Sequence, residues 1–166
     1  AGIATFQHLS SEMFKSMAGV NILHVPYKGG GPATIDLIAG QVQMSIGSLI
    51  VLLPHWRNQK IRIIGTGGAT RAAALPDVPT IAESGVPGYE ANNWWGLMAP
   101  AGVPDAIVRR LNTEANAAMN LPDTKKRLAG EGAEPFNTTP ELFTKHIAAE
   151  IVKWGRVTRE AGIKAE

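Results

Sequence analysis

Apolar residues in the first 65 positions follow two different periods. Spacings of three and four residues, which predict helices, occur over 6–18, over 33–39 and from Ser48 towards Trp56. Short β-branched runs, typical of buried strands, occur at 22–25, 42–46 and 61–64. Strands that alternate with helices predict an α/β fold with a largely parallel sheet.

The second half of the chain has a more helical composition. A long loop with a short helix near Thr80 is predicted over 65–88, and an extended strand over 91–99. Apolar spacing then predicts three helices, at 107–119, 123–128 and 140–159. The last of them carries an apolar stripe of four residues, Phe143, Ile147, Ile151 and Trp154. The change near Gly102 indicates a boundary between an α/β unit and a helical tail.

The composition excludes several classes of protein. With 45% apolar and 18% charged residues, the chain is globular rather than disordered. Its net charge of +2, with scattered basic residues, predicts no nucleic-acid partner. It has no cysteine, and its four histidines lack the paired spacing of a zinc site. We therefore expect no metal and no cofactor.

The strongest candidate site is the glycine run Gly29, Gly30 and Gly31, which is followed by Pro32 and a predicted helix. Glycines at a helix start let backbone N–H groups approach an anion, which the helix dipole stabilises. The nucleotide P-loop and the dinucleotide-binding pattern are both excluded by the residues that follow. The alternative is a tight turn with nothing bound. Tyr27 can offer its hydroxyl to the anion or pack at the rim.

Nucleophilic catalysis has little support in the sequence. Ser48 lacks the closing glycine of a nucleophile elbow, so it is predicted to be a helix N-cap. An enzyme would require Ser48 to converge with His24 or His55. Carboxylates are also sparse in the α/β part, which disfavours a paired-carboxylate active site.

Three long motifs occur in order along the chain. They are HVPYKGGGPA at 24–33, LPDVPTIAESGVPGYE at 75–90 and WGLMAPAG at 95–102. Two shorter strings follow, AEIVKWG at 149–155 and EAGIK at 160–164. Together they resemble the tripartite tricarboxylate transporter receptor family, the Bug-type periplasmic solute-binding proteins.

The resemblance implies a periplasmic-binding-protein-like fold in which two lobes clamp a ligand. Residues 1–95 match the second lobe, with its parallel-rich sheet and flanking helices. Residues 96–166 match the crossover strand and the C-terminal helices of the first lobe. The family's signal peptide and N-terminal half are not part of this sequence, so the first lobe is expected to be incomplete. The apolar stripe should then fold back on the α/β lobe or mediate self-association, and carboxylates should bind weakly.

The resemblance also implies a function without catalysis. It is the periplasmic capture of a small organic carboxylate (a di- or tricarboxylate, an acidic amino acid or an aromatic acid) for the membrane subunits of a tripartite tricarboxylate-type transporter. A ligand-sensing or assembly module without transport is the alternative, and a small-carboxylate enzyme is a third. The candidate ligand-binding residues are Tyr27, Gly29, Gly30, Gly31, Ala33, Thr5 and Ser48.

Overall fold

Six helices form the regular structure over residues 2–163, the part of the chain that the computed structural model describes. They are α1 (Phe6–Ala18), α2 (Gly30–Ile38), α3 (Leu49–Arg57), α4 (Asp105–Asn120), α5 (Pro122–Gly130) and α6 (Pro140–Glu160). Each lies where apolar spacing predicts a helix. In this part of the chain, no helix has the length and apolar content that a membrane span requires.

The ends of these helices follow from local chemistry. Gly19 ends α1 in the left-handed conformation, with a φ of 65°, which costs a glycine little. At the start of α6, the Thr139 hydroxyl accepts a hydrogen bond from the Leu142 N–H at 3.3 Å, and Pro140 occupies the first helical position. The short helix predicted near Thr80 is instead a turn, in which Thr80 and Glu83 each bind the backbone N–H of the other.

The predicted parallel sheet does not form as a hydrogen-bonded ladder within residues 2–163. The strand-like pairing there is an isolated parallel bridge between Thr66 and Thr80. The runs at 22–25 and 61–64 lie outside the helices, but Leu23 is 86% exposed and Ile64 is 68% exposed. β-branched residues favour extended backbone locally, whereas a strand also needs a neighbour in register, which local sequence does not specify.

The main apolar core joins the two ends of the chain. Its buried members are Met13, Val86, Tyr89, Ala91 and Val157. The hydroxyl of Tyr89 donates to the carbonyl oxygen of Ser10 at 3.1 Å, which satisfies a polar group in this core. Trp154 of α6 packs edge-on against Phe6 of α1, with ring centroids 5.4 Å apart. The far end of α6 is therefore folded back onto α1.

A second contact holds the extended segment around Trp94 against the middle of α6. The Trp94 ring meets Phe143 edge-on at 5.5 Å, and its Nε1 donates to Glu150 at 3.3 Å. Glu150 also accepts from Lys153 and Trp154. Burial alone would raise the pKa of Glu150, but these hydrogen bonds outweigh it and lower the pKa. These contacts cover two residues of the apolar stripe.

The remaining stripe residues are covered unequally. Ile147 is half-buried, whereas Ile151 is 68% exposed. Trp95, which follows Trp94, is also 68% exposed. The stripe therefore folds back in part, and an apolar face on the outer side of α6 stays open to solvent.

We expect Gly67→Ala to lower the free energy of unfolding by about 1–3 kcal/mol. A Cβ added to Gly67 would lie 2.5 Å from the carbonyl oxygen of Ala91. The two backbones are already held together, because the Ala91 N–H donates to the Gly67 carbonyl at 2.8 Å. Urea denaturation measures the change. Gly130→Ala is the control, because no atom lies within 4 Å of its added Cβ and the residue is helical. Equal stability losses in the two variants would contradict the prediction.

Candidate functional site

Two contacts connect the first part of the chain near the beginnings of α1, α2 and α3. A Cβ placed on Gly2, in the turn before α1, would lie 3.7 Å from the carbonyl oxygen of Tyr27, just before α2. A Cβ placed on Gly30, the first residue of α2, would lie 3.9 Å from both methyl groups of Val51 in the first turn of α3. The turn before α1 therefore contacts the segment before α2, and the start of α2 contacts the first turn of α3.

The start of α2 presents free backbone donors. No group in residues 2–163 accepts a hydrogen bond from the N–H of Gly29, Gly30 or Gly31. Gly29 has a φ of 121°, a conformation that a residue with a side chain rarely adopts. Pro32 has no N–H to satisfy, and Ala33, at 5% exposure, packs beneath the turn. Gly29 is thus the N-cap residue of α2, and Gly30 and Gly31 are its first two residues.

The starts of α1 and α3 also lack side-chain caps. Thr5 is the N-cap residue of α1, but its hydroxyl donates to the Gly2 carbonyl at 2.7 Å and caps no helical N–H. Ser48 is the N-cap residue of α3, as its position predicts. Its carbonyl accepts from Val51 and Leu52, both at 3.1 Å, while its hydroxyl makes no capping bond. First-turn N–H groups are uncapped at both starts.

Charge distinguishes these three helices from the other three. The first turns of α1, α2 and α3 contain no acidic residue, whereas α4, α5 and α6 carry Asp105, Asp123 and Glu141. Hydrogen bonds from its own backbone N–H and from Thr139, together with the nearby Arg109, lower the pKa of Glu141. An acidic group in the first turn compensates the positive end of the helix dipole. That compensation is missing at the starts of α1, α2 and α3.

Tyr27 does not offer its hydroxyl hydrogen to this region. The hydroxyl donates to Oδ2 of Asp36 at 2.8 Å, within α2. That hydrogen bond, with smaller contributions from burial and from the Asp36 charge, raises the pKa of Tyr27. Of the two roles that the sequence suggests for Tyr27, anion donor or rim residue, the geometry favours the rim.

Ser48 and His55 do not converge as the enzyme hypothesis would require. His24 stacks on His8, with ring centroids 3.9 Å apart. His55 lies seven residues beyond Ser48 on the same helix, a separation of roughly 10 Å along the axis. Within the described residues, no group of three or more His, Asp or Glu side chains is arranged to hold a metal ion.

Two residues near the site were missed by the sequence analysis. Asp36 accepts a hydrogen bond from Tyr27, which lies nine residues earlier in the chain. In the sequence, Asp36 looks like an ordinary polar position of an amphipathic helix, so nothing there predicted this contact. His8 accepts a hydrogen bond from the backbone of Ala4, and this contact depends on a left-handed Ala4 that no local pattern indicates.

Known proteins share both the sequence and the fold of this chain. A profile described as "Tripartite tricarboxylate transporter family receptor" matches residues 1–163. The chain belongs to this receptor family. Protein BugT of Bordetella pertussis is 37% identical over 157 residues, which cover 95% of this chain and 48% of BugT.

Three solved structures place the chain within this family's fold. Rpa4515 of R. palustris, solved with adipate, gives a TM-score of 0.86 at 41% identity, over 96% of this chain and 53% of that one. The periplasmic binding protein BugD gives 0.81 at 30% identity, over 96% and 54%. MatC of Rhodopseudomonas palustris, with bound malate, gives 0.78 at 31% identity, over 91% and 52%. The receptor chain has a periplasmic-binding-protein-like fold and spans about half the length of these proteins.

The two tyrosines should ionise at different pH values. Burial raises the pKa of Tyr89 to about 12, and the Asp36 hydrogen bond raises the pKa of Tyr27 above the ordinary 10.0. In Asp36→Asn, the pKa of Tyr27 should fall towards 10.0 while that of Tyr89 stays unchanged, which ultraviolet titration of tyrosinate measures.

The same shifts fix the direction of a stability change. Both tyrosines hold their protons more tightly in the folded chain than in the unfolded chain. Their contribution to stability is therefore present below pH 10 and is lost as the pH rises above it. Unchanged Tyr27 ionisation in Asp36→Asn would contradict the assignment.

Proposed function

We propose that this receptor chain binds a small organic carboxylate at the adjoining starts of α1, α2 and α3. The observation that carries the proposal is that these three helix starts have neither a side-chain cap nor an acidic first-turn residue. Each contributes free N–H groups and a positive dipole end to one region. A carboxylate supplies the acceptor oxygens and the negative charge that such a region lacks.

Backbone groups, rather than charged side chains, make this site. The N–H groups of Gly29, Gly30 and Gly31 have no acceptor within the described residues and follow one another in the loop. Thr5 and Ser48, the N-cap residues of α1 and α3, and the buried Ala33 are the further residues that we assign to the site. Tyr27 forms the rim through its ring. Such a site favours carboxylates as a class over one particular acid, because it uses the groups that all carboxylates share.

The related proteins support a dicarboxylate as the ligand. Adipate and malate, the acids found in Rpa4515 and MatC, both carry two carboxylate groups. In our proposal, one carboxylate binds at the three helix starts and the remainder of the acid extends away from them. We also propose capture in the periplasm and delivery to the membrane subunits of a tripartite tricarboxylate-type transporter, which the family to which the chain belongs supports. Other small acids, including acidic amino acids and aromatic acids, fit the same backbone chemistry.

The two-lobe division is part of the same proposal. Residues 1–95 form the second lobe, and 96–166 supply the crossover segment and C-terminal helices of the first. The runs at 22–25 and 61–64 leave apolar side chains exposed and form no ladder, which fits strands of a parallel-rich sheet that needs further neighbours. The exposed outer face of α6 is the surface through which the chain would self-associate.

Gly29→Ala should weaken the binding of adipate and malate by about tenfold or more, since a side chain at a φ of 121° forces the loop to change and redirects its N–H groups. Isothermal titration calorimetry on this chain measures the affinity. Gly19→Ala is the matched control. It places a side chain at another left-handed position, with a φ of 65°, but at the opposite end of α1.

The two variants separate binding from stability. Both should lower the unfolding midpoint, because both strain a positive-φ position, while Gly19→Ala keeps the wild-type affinity. If the wild-type chain binds neither acid, or if Gly29→Ala binds as tightly as wild type, the proposed site is wrong.

A further inference from the structure

The turn before α1 contains a strained backbone conformation. Ala4 has a φ of 58°, in the left-handed region that residues with a side chain seldom adopt. The turn is closed by Thr5, whose N–H and hydroxyl both donate to the Gly2 carbonyl, at 3.4 Å and 2.7 Å. Both bonds join Thr5 to Gly2, and neither involves a group of Ala4. Strain of this kind persists where the surroundings determine the conformation.

His8 holds the Ala4 peptide group from the first turns of α1. Its Nδ1 accepts a hydrogen bond from the Ala4 N–H at 3.1 Å. The His8 side chain is buried, with the residue 8% exposed, so its ring has little freedom to leave this position. Because Nδ1 accepts the bond, the proton of the neutral ring lies on Nε2.

Contacts on two further sides fix the orientation of the His8 ring. Nε2 faces Oε1 of Glu12 at 3.8 Å, and Lys15 binds the same carboxylate oxygen at 2.8 Å. The His24 ring stacks on the His8 ring with an angle of 13° between their planes. The ring therefore directs Nδ1 towards Ala4.

We propose that His8 is a positioning residue for the carboxylate site. It holds Ala4 in the left-handed conformation, and so keeps the turn before α1 next to the start of α2. The turn reaches the site through Gly2, whose added Cβ would lie 3.7 Å from the Tyr27 carbonyl oxygen. The inference rests on the proposed function, and it adds a residue that touches no ligand but determines where Thr5 and the start of α1 face.

Two variants separate the acceptor atom of His8 from its ring. His8→Phe keeps a flat ring beside His24 but has no acceptor. His8→Asn loses the ring but places an amide oxygen as many bonds from Cβ as Nδ1. We expect His8→Phe to weaken adipate and malate binding by about five- to tenfold, and His8→Asn to stay within about twofold of wild type, by titration calorimetry.

Ala4→Gly is the rescue variant, because glycine adopts the left-handed conformation without strain. In Ala4→Gly/His8→Phe, the affinity should return close to that of Ala4→Gly alone. If His8 acts only through packing, the loss caused by His8→Phe will be the same in both backgrounds, and that result would overturn the proposal.

The Ala4 N–H provides a readout that does not need a ligand. Its exchange with solvent, followed by nuclear magnetic resonance, should be slow in wild type and His8→Asn and fast in His8→Phe. A wild-type chain that binds neither acid overturns the proposed function, and the Ala4 exchange then still decides whether His8 holds the turn. A wild-type chain that binds, together with a His8→Phe chain that binds equally well, overturns the role of His8 alone.

Discussion

The packing of α1 against the far end of α6 is the contact on which the rest of the structure depends. Phe6, the first residue of α1, meets Trp154, and Val157 is buried in the same core at 4% exposure. Tyr89 closes this core from the loop between the two halves and satisfies its hydroxyl on Ser10. Because Phe6 belongs both to the core and to the first turn of α1, the core also fixes where that helix begins. The candidate site is built on that beginning.

The first turns of the helices differ in charge between the two halves of the chain. The C-terminal helices each carry a carboxylate in their first turn, and the N-terminal helices carry none. A helix N-terminus is equivalent to about half an elementary positive charge, so a helix start without an acidic residue favours an anion even where no lysine or arginine is buried. Backbone N–H groups need no compensating side chain when the site is empty, which avoids the cost of burying a full charge.

Several large apolar side chains of the described residues are exposed to solvent. Trp95, Leu97 and Met98 are 66–70% exposed, and Ile151 and Val152 of α6 are exposed to the same degree. Exposed apolar surface, where it is contiguous, marks places where further protein packs. The compared family members are about twice as long as the matched region.

Local sequence alone determined the helices and their ends. Apolar spacing places α1 and α6, Gly19 and Pro140 mark where these begin or end, and the glycine run predicts an open helix start, because each of these effects acts within a few residues. Ser48 was predicted as an N-cap for the same reason.

The tertiary structure decided everything that joins distant residues. In the folded chain, Leu23 and Ile64 are exposed and their segments do not pair in a sheet. The Tyr27 hydroxyl donates to Asp36, and Nε1 of Trp94 donates to Glu150. The tertiary structure also stacked the His24 ring on His8, whose Nδ1 accepts a hydrogen bond from the strained Ala4. Periodicity reports which face of an element is apolar, but not which partner that face or a polar group will meet. That choice depends on the balance of burial and hydrogen bonding over the whole chain.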